Sequence, residues 1–364
     1  VQNDDSLKWE RYILDLVYDG EGEFGVEHAD SPDFKMTRNG YTFGVEITEL
    51  FKDGSSARLV KLPDYMQRLI DGERPVHKDD VKGINVATVR IEDPDGTVVH
   101  EDLKVIISET GSLRDHADAL AEHIERKNDA FQGYAHSVGH IDLLIGDHFS
   151  SGESIGETYS TAEFFTPRLR EALRVSPFRE VMLITNLLYD NAAWVPLRQL
   201  ELMESFMVFV YCIYQSQEAL ALLEEADVVH LYADEMDAHG TPVTLRSENG
   251  FEFAARGNSS VAYTPKDGTI VHEYGDLPVD DIETVQRRHI DLPEEVRSFI
   301  HEEYQRARDG GAGFESEYIR KVRDAVWPFD TARRTQSFEA TAIDPGTSGQ
   351  GHVEGAGSQS PEAS

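Results

Sequence analysis

The stretch Ser31-Pro32-Asp33-Phe34-Lys35-Met36-Thr37-Arg38-Asn39-Gly40-Tyr41-Thr42-Phe43-Gly44-Val45-Glu46-Ile47-Thr48 decides how the rest of the chain is read. An Asn-Gly pair between two apolar-alternating runs is the strongest short-range signal for a β-hairpin, because the favoured two-residue turn needs positive φ at both central positions. With Arg38 to Gly40 at the turn, Thr37 pairs near Tyr41, and Asp33 reaches the level of Val45 and Glu46. Strand alternation sends Phe43, Val45 and Ile47 to one face and Thr42, Gly44, Glu46 and Thr48 to the other. Two carboxylates, Asp33 and Glu46, then lie on neighbouring strands, with a glycine leaving room in front of Glu46. Mg²⁺ takes one or two carboxylates and leaves its other positions to water and phosphate, so such a pair suits phosphodiester chemistry. The same spacing also fits two exposed acids on an amphipathic hairpin.

Charge sets the conditions in which any site must work. The 364 residues carry 34 Lys plus Arg against 68 Asp plus Glu, a formal net charge of −34. The acids are spread over all parts of the chain, a pattern that looks like adaptation to extreme salinity. At about 1 M salt the Debye length shrinks to roughly 3 Å, which screens the self-repulsion. Counterion release is weak under those conditions, so acidity does not exclude a nucleic-acid partner; binding would rest on metal bridges and local contacts. Cys212 is the one cysteine, which rules out an internal disulfide or a zinc ribbon and suits a buried apolar position. The run Phe206 to Tyr214 is too short to span a membrane, and Val1 to Asp5 carry no leader-like pattern, so the expectation is a soluble cytoplasmic protein.

Working outward from the hairpin, Leu7 to Tyr18 has helical apolar spacing. A helix is expected around Pro63 to Asp71, then strands near Ile84 to Ile91 and Leu103 to Ile107 about an Asp93-Pro94-Asp95-Gly96 turn. A longer helix, His116 to Phe131, leads to the apolar strand Ile141 to Ile145. A helix over Phe165 to Val175, a buried strand over Val181 to Leu187 and more helix continue the α/β pattern. Past Val228, Pro242 to Tyr274 reads as antiparallel strands with turns at Asn249-Gly250 and Asp267-Gly268. Helices are expected near Pro293 to Arg308 and Glu315 to Val326, and a disordered tail from Thr335.

Pro32-Asp33, a spacer of a dozen residues and Glu46-Ile47-Thr48, set in this element order, resemble the PD-(D/E)XK superfamily, the restriction-endonuclease-like nucleases. The family core is a helix, a hairpin carrying the acids, a third strand, a helix and a further strand, an order the chain follows through about residue 147. The resemblance implies an α/β fold with a mixed central sheet flanked by helices. It divides the chain into a domain over 1–228 (core 1–150, insertion about 52–83), an α+β accessory region over 229–334 and a tail over 335–364. It implies a Mg²⁺- or Mn²⁺-dependent nuclease that hydrolyses phosphodiester bonds with a metal-activated water. DNA is the expected partner and RNA a second choice; no membrane is implied and the oligomeric state is left open. Asp33 and Glu46 would hold the metal, with the Ile47 carbonyl as a third ligand and Glu10 of the first helix as a further acid. The family's motif lysine is replaced by Thr48. Members that move this lysine place it on the following helix beside an aromatic residue, which makes Lys127, with Tyr134, the candidate amine. A catalytically silent binding module is the alternative that Thr48 keeps open.

Other constellations compete. Gly152-Glu153-Ser154-Ile155-Gly156 matches the nucleophile elbow of serine hydrolases, with Ser154 as nucleophile, but no strand feeds directly into it, so a Gly/Ser loop is preferred. His136, His140, Asp142, Asp147 and His148 cluster around one strand and suit solvated strand ends better than a metal site, unless Asp142 approaches the acid pair. Arg168, Arg170, Arg174 and Arg179 offer phosphate contacts or salt bridges to acids such as Glu171 and Glu180. Trp194 and the Phe206 to Tyr214 run are expected in the core.

Overall fold

The structure is a computed structural model that describes residues 4–18, 24–38, 40–75, 77–93, 96–108, 111–134, 138–149, 164–185, 187, 192–224, 227–248, 250–257, 259–264, 269–274, 282–309 and 338–339. Helix α1 (Asp4–Val17) precedes strands β1 (Gly25–His28), β2 (Phe34–Arg38) and β3 (Tyr41–Leu50). The β2–β3 register pairs Arg38 with Tyr41 and Phe34 with Val45, with Gly40 at φ 81° in the turn. The turn is one residue tighter than the three-residue version expected from sequence, and it brings Asp33 level with Glu46.

Short helices α2 (Gly54–Lys61), α3 (Tyr65–Ile70) and α4 (Asp80–Gly83) follow, then strands β4 (Ile84–Glu92) and β5 (Val98–Ser108). These two strands pair only with each other among the described residues, in a separate two-stranded sheet. The third strand of the antiparallel run is instead β1, ahead of Asp33. The physical reason is burial. Val86, Ile91, Val98, Val99, Leu103 and Ile107 all stay exposed, so the hairpin lacks a face committed to the core. Its base is held by fully buried Asp80, which receives hydrogen bonds from Ser55, Arg58 and Tyr65.

Helix α5 (Leu113–Tyr134) opens on a capping box: Ser112 Oγ accepts from the Asp115 N–H while Asp115 accepts from the Ser112 N–H and hydroxyl. It leads to β6 (Ile141–Asp147), α6 (Pro167–Arg174), β7 (Val181–Thr185), β8 (Ala193–Pro196) and α7 (Leu197–Tyr214). Thr166 caps α6, with Pro167 in the first turn where its missing N–H costs nothing. The central sheet runs β1-β2-β3-β6-β7-β8, with β3, β6 and β7 parallel and the other pairs antiparallel. It is a mixed sheet flanked by helices. One face packs Phe43, Val45, Ile47, Leu144 and Ile184 against Ile13, Leu14 and Val17 of α1. The other packs Leu143, Ile145 and Leu183 against α5, α6 and α7.

Helices α8 (Gln217–Leu222) and α9 (Asp227–Ala238) precede a second, antiparallel sheet of β9 (Thr244–Glu248), β10 (Phe251–Arg256), β11 (Ser259–Thr264), β12 (Thr269–Tyr274), β13 (Glu283–Thr284) and β14 (Phe338–Glu339). Helix α10 (Glu294–Asp309) falls between the last two strands in sequence. One apolar cluster continues from beneath the first sheet through α7 to Leu245, Ala254 and Val261, and on to Ile300 and Tyr304 of α10. Trp194 and most of the Phe206 to Tyr214 run are core residues, with Val208, Tyr211 and Tyr214 partly buried, and burial pushes the Cys212 thiol up to about 12. Among the described residues no helix is long and apolar enough to cross a membrane. The helix expected over Glu315 to Val326, nearly all of the tail and the Ser154 motif lie outside the described residues.

Candidate active site

Asp33 ends the loop before β2, and its Oδ2 accepts a 2.7 Å hydrogen bond from the Ile47 N–H. That bond ties the carboxylate to β3 one residue past Glu46. Glu46 lies on the face of β3 opposite Phe43 and Val45 and is only 6 % exposed. Lys127 Nζ, from α5, donates to Glu46 Oε1 at 2.8 Å. The Tyr134 ring lies 5.7 Å from the ammonium.

The pitch of the two elements explains why α5 meets β3 in this way. Residues four apart on a helix are separated by about 6 Å, and residues two apart on a strand by about 6.7 Å. Lys127 contacts Glu46, and His123, one turn earlier, contacts Thr48, two residues later: His123 Nε2 lies 2.9 Å from Thr48 Oγ1. The helix therefore runs antiparallel to the strand and pairs with it face to face. His123 Nδ1 lies 2.9 Å from Arg126 Nη2. A guanidinium only donates, so Nδ1 accepts and Nε2 carries the proton offered to Thr48. Burial, with the charges of Arg126 and Lys127, drives the His123 pKa down to about 4, so this imidazole is neutral. His123 escaped the sequence reading; its i, i+4 spacing from Lys127 was the available signal.

Burial, then the charge of Glu46, pushes Asp33 up to about 7, and Glu10 on α1 adds to the same repulsion. Glu10 itself accepts from Ser6 Oγ at 3.0 Å. Burial lowers Lys127 more than any one neighbour raises it, but the hydrogen bond to Glu46, the charge of Glu46 and the nearby Tyr134 together outweigh burial and hold it above the ordinary lysine value. Asp33, Glu46 and Lys127 are thus brought together, with Glu10 close enough to be felt and Ile47 engaged through its N–H. The donor set, two carboxylates at one level on paired strands, fits a hard divalent cation. Burial raises Asp33 most and the charge of Glu46 adds to it; that second, repulsive part is what such an ion would relieve.

The competing groups resolve differently. Asp142 is fully buried rather than solvated, paired with Arg179 and receiving a hydrogen bond from Tyr18. It stands beside Val45 in the β3–β6 register, on the α1 side of the sheet and away from Glu46. The Arg179 guanidinium lies 4.1 Å from the Phe43 ring centre. His148 lies 3.2 Å from Glu49 and stacks on Phe51, Asp147 lies 3.3 Å from His116, and the His140 ring sits against Tyr41, so these groups do not converge on one ion. His136 lies outside the described residues. The four arginines are all engaged by acids: Arg168 by Glu125, Arg170 by Glu204, Arg174 by Glu171 and Arg179 by Asp142. No protein-family model matches the chain, and comparison with curated proteins and with solved structures gives no match.

Proposed function

We propose that the chain is a Mg²⁺- or Mn²⁺-dependent nuclease with a restriction-endonuclease-like core, hydrolysing phosphodiester bonds of DNA. The observation that carries this reading is the 2.8 Å contact of Lys127 with Glu46, which brings an amine from α5 to an acid pair that β2 and β3 set side by side. Asp33 and Glu46 would hold the cation, with the Ile47 carbonyl as a third oxygen and Glu10 as an outer acid. A bound Mg²⁺ supplies charge neutralisation at the phosphoryl oxygens as the bond breaks. Lys127 keeps its proton under the influence of Glu46, so it acts as a cationic donor that orients the attacking water or binds a phosphoryl oxygen, not as a base. Burial and the charge of Glu46 raise the Asp33 carboxyl to about 7, so a cation held by Asp33 would bind its deprotonated form.

The rival is a module of the same fold that binds without cutting. Its support is Thr48, which stands where the resemblance puts a lysine and is engaged by neutral His123. The deciding experiment incubates the protein in molar KCl with Mg²⁺ or Mn²⁺ and linear or circular DNA, with RNA in parallel. Wild type is expected to cleave, and Asp33→Ala, Glu46→Ala and Lys127→Met to lose cleavage while keeping the native circular dichroism. Binding without cleavage by wild type favours the rival. Cleavage that survives both acid substitutions sinks the mechanism.

A further inference from the structure

Helices α9 and α10 carry a second cluster with ligand chemistry, on elements that contribute nothing to the Asp33 site. Glu235 lies in the last turn of α9, and His239, four residues on, sits just beyond its end. His301 comes from α10. Glu235 Oε1 lies 2.8 Å from His239 Nε2 and 2.8 Å from His301 Nδ1. The three donor atoms all fall within 4.8 Å of one another. The two imidazoles are nearly parallel, 18° between planes, with centres 5.6 Å apart, and Tyr304 backs His239 edge-on.

From these positions we propose that Glu235, His239 and His301 form a binding site for a divalent first-row transition ion, Zn²⁺ above all. Two imidazoles and one carboxylate are the ligand set of open zinc sites, which leave a fourth position for water or a small ligand. The packing already holds the donors close to the required geometry. Two ligands about 2.1 Å from a tetrahedral ion stand roughly 3.4 Å apart, so each 2.8 Å contact has to open by only about 0.6 Å. Glu235 and His239 share one helix face at i, i+4 and need no backbone change to bind together. His301 is 41 % exposed and free on one side to adjust.

Room for the fourth position exists on that side. A cavity of about 300 Å³ between α9 and α10 is lined by both Glu235 and His301, with Arg297 and Ser298 on its α10 wall and Phe209 at its apolar side. The ion would therefore clamp α10 to α9 while keeping one face open to the cavity. The ligand types separate this site from the acid pair: imidazole nitrogen selects Zn²⁺ or Co²⁺, whereas the oxygen-only Asp33 and Glu46 suit Mg²⁺.

Cobalt tests the assignment without any activity assay. Metal-free protein is titrated with Co²⁺ at neutral pH, its visible absorption followed, and Zn²⁺ then added as competitor. Wild type and Asp33→Ala are expected to develop intense bands that saturate at one ion per chain and are bleached by Zn²⁺. Removing an outer-shell partner of a ligand already costs about 10–100-fold in affinity, so losing a ligand in His239→Ala or His301→Asn should cost at least that. His301 is exposed enough for its variant to keep the fold, which metal-free thermal unfolding verifies should His239→Ala fail. Zn²⁺ should also raise the melting temperature of wild type but not of His301→Asn. Absence of intense bands in wild type, or bands and Zn²⁺ stabilisation that persist in His301→Asn, overturns the proposal.

Discussion

Replacing Asp33 by asparagine should stabilise the metal-free protein in a way that depends on pH. Asn keeps the oxygen that accepts the Ile47 N–H and removes a charge that burial, then Glu46 and Glu10, oppose. In the unfolded chain Asp33 titrates near its ordinary 3.8, and in the folded protein near 7. This is a raised acid, so the sign runs against the usual carboxylate case. Below pH 3.8 both states are protonated and Asp33 costs nothing. As pH rises the unfolded state ionises first, stability falls, and the loss levels off above about pH 7. At 1.36 kcal/mol per pKa unit, the penalty is about 1.7 kcal/mol at pH 5 and about 4 kcal/mol at pH 8. Urea unfolding with chelator present, followed by tryptophan fluorescence, reads this layer directly, because Trp194 lies in the α1-side core and Trp9 packs against it. Asp33→Asn should gain roughly 2–3 kcal/mol more at pH 8 than at pH 5 and lose all metal-dependent activity. Equal stability of variant and wild type at pH 8, or a difference that ignores pH, refutes the placement of Asp33 in a repulsive acid cluster.

Two further predictions concern the frame that holds this site. Arg179→Met strands fully buried Asp142 and should destabilise by about 3–5 kcal/mol, whereas the double variant Arg179→Met/Asp142→Leu should recover a large part of that; a double variant as unstable as the single one, by denaturant unfolding, counts against the pair. Gly44→Ala puts a Cβ 2.5 Å from Pro32 Cγ and 2.9 Å from a Val138 methyl, and should cost about 1–3 kcal/mol in thermal unfolding; Mg²⁺ binding by calorimetry should weaken as well, because Pro32 adjoins Asp33.

The acid pair was legible because its information is local. Asn39-Gly40 fixes the turn, and alternation along Tyr41 to Thr48 then fixes which side each residue takes. Even there, the pairing of Arg38 with Tyr41 is one step tighter than the sequence indicated. Strand β1 was not legible: Gly25-Val26-Glu27-His28 has one apolar residue in four and owes its existence to pairing with β2, not to any pattern of its own. The opposite error came from β4 and β5, whose β-branched residues look like core strands; Ile84 and Ile106 pack on Tyr65 and Leu69 near the base, yet Val86, Ile91, Val98, Val99 and Ile107 stay in solvent. Asp142 looked like a solvated strand end because its neutralising partner, Arg179, lies 37 residues away in sequence and only the parallel β6–β7 pairing brings the two segments together. The same distance effect hid His123 and, further along, the convergence of Glu235, His239 and His301 from two helices.

The antiparallel match between α5 and β3 has a consequence for the order of events during synthesis. Both carboxylates belong to the first 46 residues, but the amine and the imidazole that complete the site arrive some eighty residues later and reach it only when α5 has docked on the sheet through Ala117, Leu120, Ala121 and Ile124. A nascent or truncated chain can form the acid hairpin and still lack its cationic partner. The acid pair is thereby without its cationic partner until the domain has closed, an order set only by the distance between Glu46 and Lys127 along the chain.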